Sequence, residues 1–472
     1  MLSGKRTRFK VVGVVSPTLL DVSRWQFVLT IVFHMTFPAI TVGLSVFLAV
    51  VYGAHLRTGQ AIYLQIFRFW KRIFAVGFGL GVVSGTVITF ELGLNWGRFA
   101  SATGPILGPI IGMEVVSAFF VEAAFIGVML YGDGRVKPRT MMVSCCMVAL
   151  GTVLSTLWIL AANSWMQTPD GYRTDHGRFV PNNWSSIIFN PSFSLRFPHM
   201  LLAVIISAAL FVGGIGAYYL TRRRHDQFAR RTFSIALGVL ALLIPVQFFY
   251  GDKVSFMDEH HQLAKFAAFE GNWDSTNTGY NLLVIPDQPH QRNRVQISVP
   301  KMGSVISGDL SGHTPLPGQH QVPRDRQPNS WLVFWGFRVM FYAATVMLFA
   351  AVTGVVLRLR GRLFAARWFH RLMLWLTPLG VVAIIGGWVT AETGRQPYVV
   401  YGLLRTDQGV SLIASHAVLA SFFTFLVLYL ALFGTWITYV VRTVRRGPDP
   451  RDLEIEPPAP ASIANDVAAG EA

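Results

Sequence analysis

GPIIGMEVVSAFFVEAAFIGVMLY, residues 108–131, is an apolar stretch that contains two carboxylates, Glu114 and Glu122. It is long enough to cross a bilayer, which takes about 20 mostly apolar residues. A charged side chain at the centre of a membrane costs roughly 2.5–3.5 kcal/mol on insertion scales. The stretch therefore predicts a membrane-spanning helix whose carboxylates have a chemical role.

Similar apolar stretches occur along most of the chain. The predicted spans are roughly 26–53, 70–92, 108–131, 140–163, 197–220, 233–250, 331–356, 368–391 and 411–441. The 472 residues are 52% hydrophobic and only 14% charged, whereas soluble domains have about 25% charged residues. We therefore expect an all-α polytopic membrane protein with nine transmembrane helices.

The basic residues of the loops predict the orientation. Clusters of Lys and Arg follow the odd-numbered spans, within 54–72, 132–140, 221–231, 357–367 and 442–446. Such loops stay in the cytoplasm, so we expect the N-terminus outside and the C-terminus inside, although the basic segment 5–10 opposes this. Because the net charge of +16 is divided among short clusters, it does not indicate a nucleic-acid partner.

The spans divide the chain into five parts. These are an N-terminal segment 1–25, six helices in 26–250, an outer loop 251–330, three helices in 331–441 and a cytoplasmic tail 442–472. The outer loop begins with a helical pattern and becomes irregular at about 310–329, where Pro and Gly are frequent. From Gly447 the tail is rich in Pro, Ala and acidic residues, a composition typical of disorder. The first 20 residues lack the pattern of a cleaved signal peptide.

Four possible metal ligands are predicted to converge on the outer half of the membrane. They are His34, His199, Met340 and Glu392, placed by counting 1.5 Å per residue along their spans. A His and a Met together can hold a low-spin haem. Singly, each has an ordinary explanation, since a membrane histidine often bonds a neighbouring helix and a methionine fills space. His416 is assigned to that ordinary class.

A second polar group lies deeper in the membrane. Glu114 and Glu122 are eight residues apart, and positions i, i+4 and i+8 form one row on a helix. Ser155 is expected at a comparable depth. Two carboxylates in one span predict a proton route.

Seven local strings resemble subunit I of the cytochrome bd quinol oxidase family. The strings are SRWQF (23–27), GLNWGRF (93–99), GMEVVSAFFVE (112–122), LWILAANSWMQTP (157–169), KFAAFE (265–270), FRVM (337–340) and GWVTAETGRQP (387–397). They occur in family order. Adjacent Cys145 and Cys146 form no CxxCH motif, so haem would not be covalently attached.

The resemblance implies cofactors and their ligands. His199 and Met340 resemble the axial pair of a low-spin haem b, with Arg338 beside them. His34 and Glu392 resemble the axial ligands of two high-spin haems, one b and one d or a third b, and which residue holds which haem stays open. Trp388 and Arg395 resemble neighbours of that pair, and Arg24 of SRWQF is a further cofactor-binding candidate.

The resemblance also implies the reaction. Lys265 and Glu270 resemble quinol-site residues of the outer loop, with Asp252 a weaker candidate, and their spacing places them on two sides of a helix. Glu114, Glu122 and Ser155 resemble a proton path from the cytoplasm to the site where O2 becomes water, without pumping. The implied partners are subunit II, membrane quinol and O2 in a bacterial inner membrane, and a small single-helix accessory subunit is left open.

Two departures from the family pattern and two alternatives stand beside this interpretation. Tyr398 replaces the usual Trp after GRQP, and the outer loop lacks an insertion, as in the short-loop, cyanide-insensitive class.

One alternative is a proton-coupled transporter that uses Glu114 and Glu122. The other is a haem b dehydrogenase subunit that does not react with O2.

Overall fold

The computed structural model describes residues 16–453. The basic residues at 5–10 and the tail from 454 onward lie outside this range. The helices, in chain order, are α1 (Pro17–Thr36), α2 (Pro38–Thr58), α3 (Ala61–Leu94), α4 (Gly97–Glu114), α5 (Phe120–Tyr131), α6 (Pro138–Gln167), α7 (Trp184–Ile188), α8 (Phe193–Arg222), α9 (Asp226–His261), α10 (Leu263–Glu270), α11 (Met302–Ile306), α12 (Ser330–Leu359), α13 (Arg367–Trp375), α14 (Leu379–Arg395), α15 (Thr406–Gly409) and α16 (Ser415–Arg446).

Within residues 16–453, nine helical segments are long and apolar enough to cross a membrane. They are the pair α1–α2, α3, the pair α4–α5, α6, α8, α9, α12, the pair α13–α14 and α16. The prediction of a nine-span helical membrane protein is confirmed. The first segment divides before Pro38, whose ring removes a backbone donor and clashes with the preceding turn.

The segment that contains the two carboxylates is not a regular helix. A π-helical turn, Val115–Phe119, joins α4 to α5. Such a turn inserts one extra residue into an α-helix and is frequent at functional sites. On a regular helix Glu114 and Glu122 would differ by about 80° around the axis, whereas one extra residue reduces this to about 20°. The π-helical turn therefore places both carboxylates on nearly the same face.

The connections between spans separate into two ends of the bundle. The long connections 168–192, 262–329 and 396–414 lie at one end, which we call the loop end. The short connections 59–60, 132–137, 223–225 and 360–366 lie at the other, which we call the basic end. The predicted outer loops coincide with the loop end, and which end faces the cytoplasm stays a prediction from the basic residues.

Three short antiparallel hairpins interrupt the otherwise helical architecture, and all belong to the loop end. Their strands are β1 (Tyr172–Asp175), β2 (Arg178–Pro181), β3 (Tyr280–Asp287), β4 (Arg292–Val299), β5 (Tyr398–Val400) and β6 (Leu404–Arg405). Each strand pairs with its neighbour in sequence. The β3–β4 hairpin follows α10 directly and covers the predicted quinol-site segment.

The chain after α16 departs from the expected disorder. Pro450–Leu453 forms a 3-10 turn against α3. Asp452 pairs with Arg72, and its backbone oxygen accepts a hydrogen bond from Nη1 of Arg68 at 3.0 Å. The predicted cytoplasmic tail 442–472 therefore starts within α16, and residues up to Leu453 pack at the basic end because Asp452 finds basic partners there.

Candidate functional site

Glu114 and Glu122 both face α6. Oγ of Ser155 donates to Oε1 of Glu114 at 2.8 Å. Glu122 is 6% exposed and packs against Gly151, where an added Cβ would lie 2.5 Å from its Cγ. Gly151 and Ser155 are four residues apart and so share one face of α6. The structure thus brings the three predicted proton-path residues together along one helix interface.

His34 lies near the end of α1, beside α3. Its Nδ1 is 3.0 Å from Oγ of Ser84. A Cβ added at Gly85 would lie 3.2 Å from Cε1 of the imidazole. The ring is therefore oriented by the Ser84 hydroxyl and packs closely against α3 at Gly85.

His199 and Met340 have similar surroundings. Nε2 of Gln247 lies 3.3 Å from Nδ1 of His199, and a Cβ at Gly251 would lie 3.4 Å from Cε1 of the same ring. A Cβ at Gly387 would lie only 2.8 Å from Sδ of Met340, so a side chain there would displace the thioether. Both members of the predicted axial pair therefore lie in close contact with a glycine of a neighbouring helix.

Glu392 is held by polar groups of α6 and of its own helix, α14, and Arg196 of α8 supports them through Asn163. Its Oε1 accepts from Nδ2 of Asn163 at 2.9 Å and from Nε2 of Gln167 at 3.3 Å. Its Oε2 pairs with Arg395, and Nη2 of Arg196 donates to Asn163 at 2.6 Å. Asn163, Gln167 and Arg196 were not identified from the sequence as site residues.

The remaining predicted neighbours lie close to this group. Nη2 of Arg24 donates to Oε1 of Gln396 at 3.2 Å, next to Arg395 in the chain. The ring of Trp388 lies 6.5 Å from that of Phe27. Tyr398 begins strand β5, where Arg405 lies 5.8 Å from its ring centre. These contacts connect the start of α1 to the end of α14.

Lys265 is buried on the Glu392 side of α10. Its Nζ donates to Oε1 of Gln167 at 2.8 Å, lies 3.4 Å from Oδ1 of Asp258 and also contacts Gln262. The side chain is 1% exposed. Burial lowers the pKa of Lys265 to about 8, while Asp258 opposes this shift.

Glu270 faces a different side of α10, beside a cleft at the loop end. The cleft is lined by Asp252, Ser255, Phe256, Glu259, Phe266, Glu270, Tyr280, Gly303, Ile306, Ser307 and Leu316. Burial raises the pKa of Glu270, and the nearby guanidinium of Arg338 opposes this shift. The structure therefore brings Glu270 and Asp252 to one cleft, while Lys265 lies behind it.

Arg338 connects this cleft to α12. Its Nη2 is 3.6 Å from Oε2 of Glu270, and its Nε donates to the backbone oxygen of Asn281 at 2.8 Å. The guanidinium also lies 4.5 Å from the ring centre of Tyr280. Arg338 is two residues from Met340, so one turn of α12 carries both the cleft cation and the predicted axial methionine.

These surroundings fit bound haem. Within residues 16–453, Nη1 and Nη2 of Arg338 and Nε and Nη1 of Arg395 are buried without hydrogen-bond partners. Buried donors without acceptors are costly, and haem propionates are acceptors of the required charge. Residues 16–453 contain no group of three His, Cys, Asp or Glu side chains that could hold a bare metal ion.

Comparison with known proteins gives the family. The sequence model for cytochrome bd terminal oxidase subunit I matches residues 22–448. The chain belongs to this family. It is therefore a multi-pass protein of the bacterial inner membrane and part of a quinol:oxygen oxidoreductase.

Individual relatives agree over nearly the whole length. The chain is 28% identical to cytochrome bd-II ubiquinol oxidase subunit 1 of Escherichia coli strain K12, over 92% of this chain and 98% of the relative. It is 30% identical to cytochrome bd ubiquinol oxidase subunit 1 of Bacillus subtilis strain 168, over 91% and 94%. The bd oxidase structure from Geobacillus thermodenitrificans matches with a TM-score of 0.83 and 26% identity, over 91% of this chain and 99% of that one.

Membership of the cytochrome bd family has three consequences. It implies haem cofactors, a quinol substrate and a complex with subunit II. It confirms the family resemblance that the seven strings carry. The transporter alternative is excluded, because the family consists of terminal oxidases.

Proposed function

We propose that this chain is the haem-bearing catalytic subunit, which oxidises quinol at the loop end and reduces O2 to water with protons from the basic end, without pumping. The observation that carries the proposal is the pair of buried guanidinium groups of Arg338 and Arg395. They lie next to the predicted ligands Met340 and Glu392 and keep N–H donors without hydrogen-bond partners among residues 16–453.

His199 and Met340 would hold a low-spin haem b, and His34 and Glu392 would hold the two high-spin haems, one b and one d or b. The haems, when bound, would supply electron transfer and oxygen reduction. Arg338 and Arg395 would bind their propionates, because both guanidinium groups are buried and retain free N–H donors. Arg395 also orients Glu392 through their ion pair.

Quinol would bind in the cleft beside Glu270. Because burial raises the pKa of Glu270, its carboxylate is a stronger base than an exposed one and suits the acceptance of a quinol proton. Asp252 lines the same cleft. Lys265 does not line the cleft. It would support the site through its contacts with Gln167 and Asp258 instead of binding quinol directly.

Protons would move from the basic end along α5 and α6. Glu122 lies closer to that end than Glu114, and the Ser155 hydroxyl continues the row beside Glu114. Protons would be taken up at the basic end and released at the loop end, which separates charge across the membrane. Moving one elementary charge across a potential of 100 mV stores about 2.3 kcal/mol. No additional pumped proton is needed for this separation.

Reduced-minus-oxidised optical spectra of the purified complex, with and without carbon monoxide, test the proposal. We expect low-spin haem bands that carbon monoxide leaves unchanged and high-spin bands that it shifts. A complex without a carbon monoxide-reactive haem would be a dehydrogenase subunit of the type considered above. A complex without haem bands would contradict the proposal entirely.

A further inference from the structure

Glu91 is an intramembrane carboxylate that lies outside the proposed proton route. It lies in the last turn of α3 and is 3% exposed. Neither carboxylate oxygen has a hydrogen-bond partner in the described part of the chain, and none of the ion pairs within residues 16–453 includes it. A buried carboxylate without a partner is costly and marks a functional site by default.

Two other buried groups without partners lie beside Glu91. The hydroxyl of Thr30, on α1, is fully buried and adjacent to the carboxyl group. The hydroxyl of Tyr429, on α16, is adjacent to Thr30, and the tyrosine is 3% exposed. Thr30 is within weak hydrogen-bonding reach of both Glu91 and Tyr429, but neither hydroxyl forms a hydrogen bond of ordinary length among residues 16–453. We call these three residues the Glu91 cluster.

The cluster lies on the path between the loop end and His34. Thr30 is one helical turn from His34 on α1, and Ser84, the hydrogen-bond partner of His34, is two turns from Glu91 on α3. Toward the loop end, Ser23 lies two turns from Thr30 on the same buried face, again with a buried hydroxyl that has no partner in the described chain.

Polar side chains in this number, enclosed without partners, favour bound water. Buried waters typically make about three hydrogen bonds to buried polar groups that would otherwise lack partners. Thr30, Tyr429 and Glu91 together offer three hydroxyl or carboxyl groups from three helices. An apolar residue at position 91 would serve packing better than this arrangement, so packing does not explain the carboxylate.

We propose that Glu91 is a third intramembrane proton-holding carboxyl group, hydrated within the Glu91 cluster, that exchanges a proton with enclosed water when the neighbouring haem changes its redox state. On reduction, a carboxylate oxygen forms an O–H bond with a proton from cluster water, and that water takes a replacement proton from bulk solvent, so that one proton is bound overall. On oxidation that bond breaks and the proton returns to water. The electrons come from quinol, so the inference rests on the proposed function.

Redox-difference infrared spectroscopy of the purified complex tests this inference. We expect a carboxylic acid C=O component that shifts in D2O and is lost in Glu91→Gln, a nearly isosteric variant that cannot carry the proton. Tyr429→Phe should retain the component at a shifted frequency, because only a hydrogen-bonding neighbour is removed. Asp175→Asn, at the exposed end of β1, is the control and should leave it unchanged.

Proton uptake gives a second measurement on the same proteins. Reduction of Glu91→Gln should bind fewer protons than reduction of the wild type, by up to one per complex, with the haem spectra retained. Retention of every carboxyl component in Glu91→Gln, an unshifted component in Tyr429→Phe, or loss of haem from Glu91→Gln would each overturn the inference. Absence of haem from the wild-type complex would instead overturn the proposed function, so the two failures are distinguishable.

Discussion

Lys265 and Glu392 are bridged by a single side-chain amide. Gln167 accepts a hydrogen bond from Nζ of Lys265 at 2.8 Å and donates one to Oε1 of Glu392 at 3.3 Å. Its backbone oxygen also accepts from Nε2 of Gln262 at 2.9 Å. The predicted quinol-loop lysine and the predicted haem ligand are therefore coupled through one residue at the end of α6.

Gln167→Leu should disturb both ends of this bridge. Leucine cannot hydrogen-bond, so Lys265 loses one of its buried partners and Glu392 loses one donor. We expect about a tenfold rise in quinol KM, equivalent to about 1.4 kcal/mol, together with a shifted high-spin haem spectrum. Steady-state kinetics and optical spectra measure the two effects. Gln321→Leu, in an exposed part of the loop end, is the control. If Gln167→Leu changed only the quinol KM or only the haem spectrum, the result would argue against coupling.

Met340→Leu should convert the low-spin haem to high spin with the bundle intact. The substitution conserves volume while it removes the sulfur ligand. Gly387→Ala should act in the same direction, since its Cβ would lie 2.8 Å from the thioether. Gly434→Ala, with no atom within 4 Å of its added Cβ, provides the matched control. An unchanged low-spin spectrum in purified Met340→Leu would exclude this ligand.

Glu122→Gln should leave haem content normal and slow the reduction of O2. The amide is nearly isosteric but cannot carry a proton, and general acid–base groups typically contribute about 10²–10⁴-fold to rate. Oxygen consumption at saturating quinol measures the effect. Ser117→Ala, on the adjacent π-helical turn, controls for local packing. Wild-type turnover in Glu122→Gln would show that the route bypasses this residue.

Glu270→Ala should impair quinol oxidation without altering the haems. The variant removes a carboxylate that lines the cleft and leaves Arg338 without its ion-pair partner. We expect a higher KM for quinol or a lower kcat, while reduction by dithionite stays normal. Asp175→Asn, an exposed carboxylate of the β1–β2 hairpin, is the control. Wild-type kinetics across a range of quinol concentrations would place the site outside this cleft.

The quinol KM should rise with pH above about 8. Burial lowers the pKa of Lys265 to about 8, so its ammonium group is charged below that pH and becomes neutral above it. Loss of the charge weakens the bonds to Asp258 and Gln167 that hold α10 in place. KM measured between pH 6 and 10 should show this rise in the wild type and not in Lys265→Met. Its persistence in Lys265→Met would assign the titration to another group.

The spans could be predicted because each is a largely apolar run, as in 108–131, and because the thickness of the membrane sets a similar minimum length for all of them. The π-helical turn at Val115–Phe119 could not, since no residue type in VVSAF marks an extra residue. Gln167 and Asn163 were missed because their partners lie far away in the sequence. Glu91 could have been found, since it ends the predicted span 70–92 and meets the criterion that identified Glu114.

Helix α9 crosses the membrane and continues beyond it to form one wall of the cleft. Its residues Asp226–His261 extend about 54 Å, beyond a hydrocarbon core of about 30 Å, and carry Gln247 beside His199 as well as Asp252 and Glu259 of the cleft. A continuous helix anchored in the bilayer does not swing aside. If quinol binds in this cleft as proposed, its entry and release depend on motion of the wall around Gly303–Leu316, so amide hydrogen exchange should be fast there and slow along α9.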